Sequence, residues 1–237
     1  MKSILVRKIL FTEQIALTDI LSKKGTIYTF LNPVSYLSAL EHKTLFERFD
    51  GIFADGSILV AAIRLIYGKR VTRRSFDMTS LAPELLSYAE THNKFLYIVA
   101  SRQEQVEKAV GIFKKRYPKL NVAGYRNGYF ASEKEQELEI QHIVKMRPDY
   151  LIVGMGALMQ EQFLLKVKNA GFDGIGFTCG GFIHQTAKDK IDYYPGWVDL
   201  MNLRFLYRMY KEKHTRKRYL QAAMFFPARF IAERFFG

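Results

Sequence analysis

Residues 149–166 read Asp149-Tyr-Leu-Ile-Val-Gly-Met-Gly-Ala-Leu-Met-Gln-Glu-Gln-Phe-Leu-Leu-Lys166. Tyr150 to Val153 is a short, apolar, β-rich run of the kind that forms a buried strand. Gly154 and Gly156 let the backbone turn sharply after it without a Cβ clash. Phe163, Leu164 and Val167 then fall at helical spacing. Gln160 and Glu161 therefore sit in the first turn of a helix, beside free backbone N–H groups and the positive end of the helix dipole. Strand, glycine turn and helix start are how an open α/β sheet builds a site for a phosphorylated ligand. The same pattern also suits a plain βα loop with a solvated helix start, because short glycine motifs carry little information alone.

The rest of the chain repeats this rhythm. Thr26–Leu31, Gly51–Ala54, Phe95–Ala100, Leu120–Ala123 and Gly174–Thr178 read as further strands. Ile4–Phe11 reads as another strand or hairpin arm. Helical patterns lie between them: Thr12–Lys24, Val34–Phe49, Ser57–Tyr67, a segment through Tyr88, Gln103–Tyr117 and a polar helix from Ser132 to Met146. Strands alternating with helices predict a mostly parallel sheet with helices on both faces, an α/β fold.

Several polar residues fall at strand ends, where such sheets hold ligands. Asn32 precedes Pro33 and is either a helix N-cap or a crevice residue. Asp55 closes an apolar strand beside Gly56; it is either a cap or a carboxylate free to accept a proton. The run Lys69-Arg-Val-Thr-Arg-Arg74 offers Arg73 and Arg74 as a fork for diphosphate oxygens, or is a solvated loop. Asp77 either orients those arginines or caps a helix. Gly180-Gly181 forms a second glycine turn after a strand.

Composition narrows the class. Of 237 residues, 49% are hydrophobic, which excludes wholesale disorder. The single cysteine, Cys179, excludes an intramolecular disulfide and a cysteine-rich zinc site, and suits a reducing compartment. The N-terminal apolar run is broken at once by charge, so a signal peptide is not expected. No stretch approaches the ~18–20 uninterrupted apolar residues that span a bilayer. Net charge is +13, and residues 200–237 hold nine Lys/Arg against Glu212 and Glu233. That asymmetry points to an anionic partner near the C-terminus.

Taken in order, the motifs Ala54-Asp55-Gly56, the Arg74/Asp77 region, Gly124-x3-Gly128-Tyr129-Phe130, Gly154-x-Gly156-x3-Gln160-Glu161, Gly180-Gly181-Phe182, Tyr194-Pro195-x-Trp197 and Leu203-x3-Tyr207-Arg208 resemble those of the WecG/TagA/CpsF family of bacterial glycosyltransferases. The likeness covers about residues 1–220. It implies a Rossmann-like domain over residues 1–195 and a membrane-associating appendage over 196–237. It also implies inverting transfer from a UDP-sugar to a lipid-linked, polyprenyl diphosphate acceptor at the cytoplasmic face of the membrane, with neither cofactor nor bound metal. The family's proposed base falls on Asp55, its pocket glutamine on Gln160, and its upstream arginine on Arg73 or Arg74. Asp77, Gly128, Tyr129, Gly154, Gly156, Glu161, Gly180 and Gly181 fall in these motifs and, with Asn32 at its strand end, are the candidates for binding donor or acceptor. Arg204, Arg208, Arg216 and Arg218 are the appendage's candidates for the acceptor diphosphate and the membrane.

The chain departs from the pattern at Leu158-Met159, where Pro-Lys is common, at Ala100-Ser101, where a glycine pair is common, and at Asp192-Tyr193-Tyr194-Pro195. These departures suggest a divergent branch making capsule or exopolysaccharide. His184, near the second glycine turn, is either a substrate contact or a loop histidine without a catalytic role. In the tail, Leu203, Leu206, Tyr207 and Tyr210 interleave with cations, as in helices that lie in a membrane interface. The same residues would also suit packing on the protein's own core or on a second copy in a homo-oligomer. Two rival classes remain from sequence: a nucleic-acid-binding module using the basic tail, and a nucleotide-sugar-binding protein without catalysis. Interleaved aliphatic and aromatic groups argue against nucleic acid.

Overall fold

The structure, a computed structural model, describes residues 3–11, 16–189, 198, 204–211 and 216–236. Six strands form one sheet: β1 (Thr26–Leu31), β2 (Gly51–Ala54), β3 (Phe95–Ala100), β4 (Asn121–Arg126), β5 (Tyr150–Gly154) and β6 (Ile175–Thr178), in the order β2-β1-β6-β5-β3-β4. The pairing is parallel throughout, with Tyr28 opposite Phe177, Ile152 opposite Phe177, and Ile98 opposite Ile152. The α/β expectation from the strand-helix rhythm is met. Five of the strands are β-rich apolar runs, and β2, β5 and β6 are buried along their whole length, as strands covered on both faces must be.

By contact the chain forms two compact units. One comprises Met1–Ile15, Phe30–Ser75 and Tyr194–Gly237; the other comprises Ala16–Thr29 and Phe76–Tyr193. The second holds most of the sheet. Its helices are α2 (Leu17–Ser22), α6 (Leu81–Thr91), α7 (Gln103–Arg116), α8 (Glu133–Met146), α9 (Met159–Asn169) and α10 (Phe182–Asp189). Apolar side chains at helical spacing on α7 (Val106, Ala109, Val110, Phe113) are buried. Phe113 stacks on Phe182 of α10 with ring centroids 5.7 Å apart. α8 begins as the sequence predicts, with Ser132 Oγ accepting from the Glu135 N–H at 3.2 Å.

The first unit is built around α3 (Pro33–Leu40), α4 (Lys43–Glu47), α5 (Ser57–Tyr67) and β2. Here two expectations are corrected. Ile4–Phe11 is not a strand: Ile4–Lys8 is a helix, α1, whose cap is Ser3 Oγ accepting from Val6 N at 3.4 Å. Only Ile9 bridges to Ile52 of β2. Leu5 and Val6 are fully buried, so tertiary packing outweighs the β-propensity of this run. Second, Val34–Phe49 is two helices rather than one. α3 ends at Leu40, and His42 leaves helical geometry (φ −132°, ψ 38°), its Nδ1 against the Ser38 carbonyl at 3.0 Å.

The tail forms α11 (Arg204–Lys211) and α12 (Arg216–Phe236). Within the first unit α12 buries Ala222, Phe226, Phe230 and Glu233. Phe226 and Phe230 pack on Tyr36 of α3 with centroids 5.6 and 5.2 Å away, and Phe230 meets Tyr67 of α5 at 5.5 Å. The buried carboxylate of Glu233 pairs with Lys43 of α4. Tyr194, Pro195, Trp197, Leu203, the segment Asp192–Pro195, Thr12–Ile15 and the boundary expected at 195/196 lie outside the described residues, as do the side chains of Arg204 and Arg208.

Candidate functional site

In the second unit the candidate residues gather in the loops after β5 and β6. Gly154 ends β5 in a space that admits no side chain. A Cβ there would lie 2.7 Å from Cys179 Sγ and 3.0 Å from both Ala100 Cβ and the Gly180 carbonyl oxygen. Gly156 has φ +89° and Leu158 φ +70°, so the loop makes two left-handed residues in three. For a leucine that conformation costs on the order of 1–3 kcal/mol and persists only where surrounding bonds enforce it. One enforcing bond is clear: the Leu158 N–H donates to Glu161 Oε2 at 2.7 Å, the backward reach of a capping box. A proline, common at this place in the resembling family, could not take that φ.

Gln160 and Glu161 open α9 and are both buried. Glu161 Oε1 accepts from Gln160 Nε2 at 2.8 Å and from Thr29 Oγ1 of β1 at 2.9 Å. The Gln160 carbonyl oxygen in turn accepts the Gly180 N–H at 3.1 Å. Thr29 Oγ1 also lies 2.8 Å from Thr178 Oγ1 of β6. Burial pushes the Glu161 carboxyl above the usual carboxylate range, while hydrogen bonds from Gln160, Thr29 and the Leu158 N–H pull the other way without cancelling it.

Cys179 and Gly180 form the β6–α10 turn. The Cys179 N–H donates to the Val153 carbonyl at 2.7 Å, and Gly180 adopts φ +54°. Burial pushes the Cys179 thiol up to about 12, so at neutral pH it is a packed thiol and not a nucleophile. His184 is half-buried on α10. The neighbouring loops are stitched to this one: the Ser101 N–H donates to the Gly154 carbonyl at 3.0 Å and the Gly128 N–H to the Ser101 carbonyl at 2.9 Å. A Cβ on Gly128 would fall 2.9 Å from Met155 Cγ. Tyr129 is exposed, and its carbonyl accepts from Arg126. Asp77 Oδ1 accepts from the Thr79 N–H at 2.9 Å and from Thr79 Oγ1 at 2.6 Å, a local turn ahead of α6.

In the first unit, Asn32 Oδ1 accepts from the Val34 and Ser35 N–H groups at 3.0 Å each, and the Asn32 N–H donates to Ser35 Oγ at 2.9 Å. Its side-chain oxygen is thus the N-cap of α3. Asp55 follows β2, half-buried, with its N–H donating to the Leu31 carbonyl at 2.8 Å. Gly56 takes φ +95° after it. The Arg74 N–H donates to the Ala54 carbonyl at 3.0 Å. The backbone of the Arg73-Arg74 segment is thereby held against the end of β2, next to Asp55; both arginines are half-buried. Arg216, Lys217 and Arg218 are exposed at the start of α12, and Arg216 Nε donates to the Met209 carbonyl at 2.9 Å. Among the described residues no group of three or more His, Cys, Asp or Glu is placed to hold a metal ion.

Thr29 and Thr178 were not singled out by sequence reading. The available signal was a threonine within each of two strands built mainly of apolar and aromatic residues, a combination that asks for a buried partner.

A parallel α/β sheet with tight glycine loops and a polar helix start at its carboxyl ends defines the class: a Rossmann-like α/β protein, a fold whose ligands bind outside the carboxyl ends of the strands. The family model described as "Glycosyl transferase WecG/TagA/CpsF family" matches residues 6–237. The chain belongs to that family and is a glycosyltransferase. It is 33% identical over 207 residues, 87% of this chain and 86% of the relative, to the UDP-Gal:alpha-D-GlcNAc-diphosphoundecaprenol beta-1,4-galactosyltransferase of Shigella boydii. It is 22% identical over 202 residues (84% and 76%) to the N-acetylglucosaminyldiphosphoundecaprenol N-acetyl-beta-D-mannosaminyltransferase of Bacillus subtilis (strain 168). An enzyme of the same name from Staphylococcus aureus (strain NCTC 8325 / PS 47) is 26% identical over 180 residues (75% and 68%).

Proposed function

We propose that this chain transfers a hexose or N-acetylhexosamine from a UDP-sugar to a sugar carried on polyprenyl diphosphate, with inversion and without a metal, in the assembly of a cell-surface polysaccharide such as a capsule or exopolysaccharide. The observation that carries the reading is the 33% identity, over most of both chains, to an enzyme named for UDP-galactose and a GlcNAc-diphosphoundecaprenol acceptor.

In this reading Asp55 is the general base. It takes the proton from the acceptor hydroxyl as that oxygen attacks the anomeric carbon, and the bond from that carbon to the UDP oxygen breaks with its electron pair. Such a base contributes about 10²–10⁴-fold. The half-buried Asp55, held by its own backbone at the end of β2 and followed by a glycine with φ +95°, supports the assignment. The charge growing on UDP falls to cations and helix N-termini. Arg73 and Arg74 are assigned to the diphosphate, and Arg204, Arg208, Arg216 and Arg218 to the acceptor diphosphate or the membrane surface. Asn32, Asp77, Gly128, Tyr129, Gly154, Gly156, Gln160, Glu161, Gly180 and Gly181 are assigned to the loops that seat donor and acceptor.

The test is Asp55→Asn, assayed with UDP-galactose first, then with other UDP-sugars, on a GlcNAc-diphospholipid acceptor. We expect turnover to fall at least 100-fold, in line with loss of a general base at about 10²–10⁴-fold, with UDP affinity within about twofold of the parent. Turnover near the parent's level removes Asp55 from the mechanism. Activity of the parent with no UDP-sugar removes the reaction itself.

A further inference from the structure

Four buried polar groups from three elements of the second unit form one directed chain of hydrogen bonds. Its direction can be worked out from donor counts. Glu161 receives every bond described for it: the Leu158 N–H on Oε2, and Gln160 Nε2 and Thr29 Oγ1 on Oε1. Thr29 has a single hydroxyl proton, spent on Glu161. Its 2.8 Å contact with Thr178 Oγ1 is therefore donated by Thr178. At the other end, the Gln160 amine is turned toward Glu161, which leaves its carbonyl oxygen to accept the Gly180 N–H at 3.1 Å. Reversing that amide would set an amine against an N–H donor and would take an N–H away from the carboxylate. Glu161 thus dictates which way Gln160 faces, and the two threonines fix Glu161.

Thr29 and Thr178 are 0% and 1% exposed, so water does not replace their bonds. Gly180, at the far end, has φ +54°, and among the described residues a Cβ built on it would meet nothing within 4 Å. Its N–H is held by Gln160, and among the described residues nothing fills the space its missing Cβ would take.

We propose that Thr29 and Thr178 are positioning residues for the Gly180-Gly181 turn, acting through Glu161 and Gln160, and that the turn so held receives the diphosphate-sugar portion of the donor. The second half of this statement rests on the reading of the chain as a UDP-sugar-dependent transferase; the first half does not. Both threonines are buried, so the role assigned to them is indirect.

The experiment uses the full chain with Thr29→Val, Thr178→Val and the conservative Thr29→Ser. It reads two quantities: amide hydrogen exchange of residues 179–182 without ligand, and affinity for UDP with the donor KM and kcat. Loss of a buried hydrogen bond from a shared network costs about a factor of ten. Thr29→Val is therefore expected to exchange the turn about tenfold faster and to raise the UDP Kd and donor KM by a similar factor, with kcat within about threefold. Exchange in β3, which is buried elsewhere in the sheet, serves as the control for global destabilisation and is expected to stay unchanged. Thr29→Ser restores both readouts, and Thr178→Val shows the smaller effect of the two valine variants. Unchanged exchange at 179–182 in Thr29→Val overturns the coupling, whatever the ligand. Faster exchange with unchanged UDP affinity overturns the link to the donor. A parent chain that binds no UDP defeats the transferase reading instead, and the exchange rates still decide the coupling.

Discussion

Glu161 shows how much one side chain can be asked to do. It closes the first turn of α9, fixes a leucine at φ +70° and orients Gln160, all while buried. Because burial sets its folded pKa above the ordinary value of 4.5, the folded chain binds this proton more tightly than the unfolded chain. The sign follows from linkage: the stability tied to Glu161 is complete below about pH 4.5 and is lost as pH rises through the folded value. Glu161→Gln removes that dependence and adds a pH-independent loss from mismatched donors. Thermal melts of both proteins from pH 4.5 to 8 are expected to show the parent's advantage over the variant shrinking as pH rises. An advantage that grows with pH would contradict the assigned direction. Gln160 and Glu161 were legible from sequence because a glycine turn followed by polar residues at a helix start is a local pattern. Thr29 and Thr178 were not, since their partners lie 132 and 149 residues away along the chain. Asn32 could be read two ways, and its side-chain oxygen went to the cap of α3.

Elements follow the same division between local and distant causes. α5, β3 and α8 begin and end where glycine, serine and apolar spacing place them, since those signals act within a few residues. α1 was misread because Ile4-Leu-Val favours strands, whereas a serine cap and the burial of Leu5 and Val6 make it a helix. α12 depends most on distant packing. Its docked face consists of Ala222, Phe226, Phe230 and Glu233, and Phe230 alone meets Tyr36, Tyr67 and Phe226 with centroids 5.1–5.5 Å apart. Truncating such a buried ring costs about 3–5 kcal/mol. In a helix held through one face the loss is met first by local undocking rather than by global unfolding. Phe230→Ala is therefore expected to speed hydrogen exchange and proteolysis within 216–236 by at least 100-fold, which a docking loss of about 3 kcal/mol permits, while β3 and β5 keep their protection. Equal loss of protection in those strands would show that α12 is part of the global folding unit instead.

For the whole chain, the alternation of strands and helices announced parallel pairing but not the strand order β2-β1-β6-β5-β3-β4, because a crossover of similar length reaches several neighbouring positions. What the whole chain does expose is charge joined to apolar surface. The +13 excess is concentrated in the tail, and α12 carries a second apolar stripe, Leu220, Met224, Ile231 and Phe235, all exposed and spaced four, seven and four apart. That spacing keeps them on one side of a helix whose other side is committed to α3 and α5. Among the described residues no helix is long and apolar enough to cross a membrane. We propose that this stripe, with exposed Arg216, Lys217 and Arg218 at its head, lies in the interface of an anionic membrane, where each cation contributes about 1 kcal/mol. The prediction separates the two forces. Replacing the three cations by alanine should weaken flotation with anionic vesicles by about 100-fold, consistent with about 3 kcal/mol in total, and leave weak binding to neutral vesicles unchanged. Phe235→Ser with Leu220→Ser should weaken both. Binding to anionic vesicles should also fall steeply with salt, because the Debye length contracts from about 10 Å at 0.1 M to 3 Å at 1 M, while the apolar part persists. A parent chain that stays in solution beside anionic vesicles at low salt would assign the stripe to something other than lipid, and a concentration-dependent dimer in the same samples would identify it as a contact between copies.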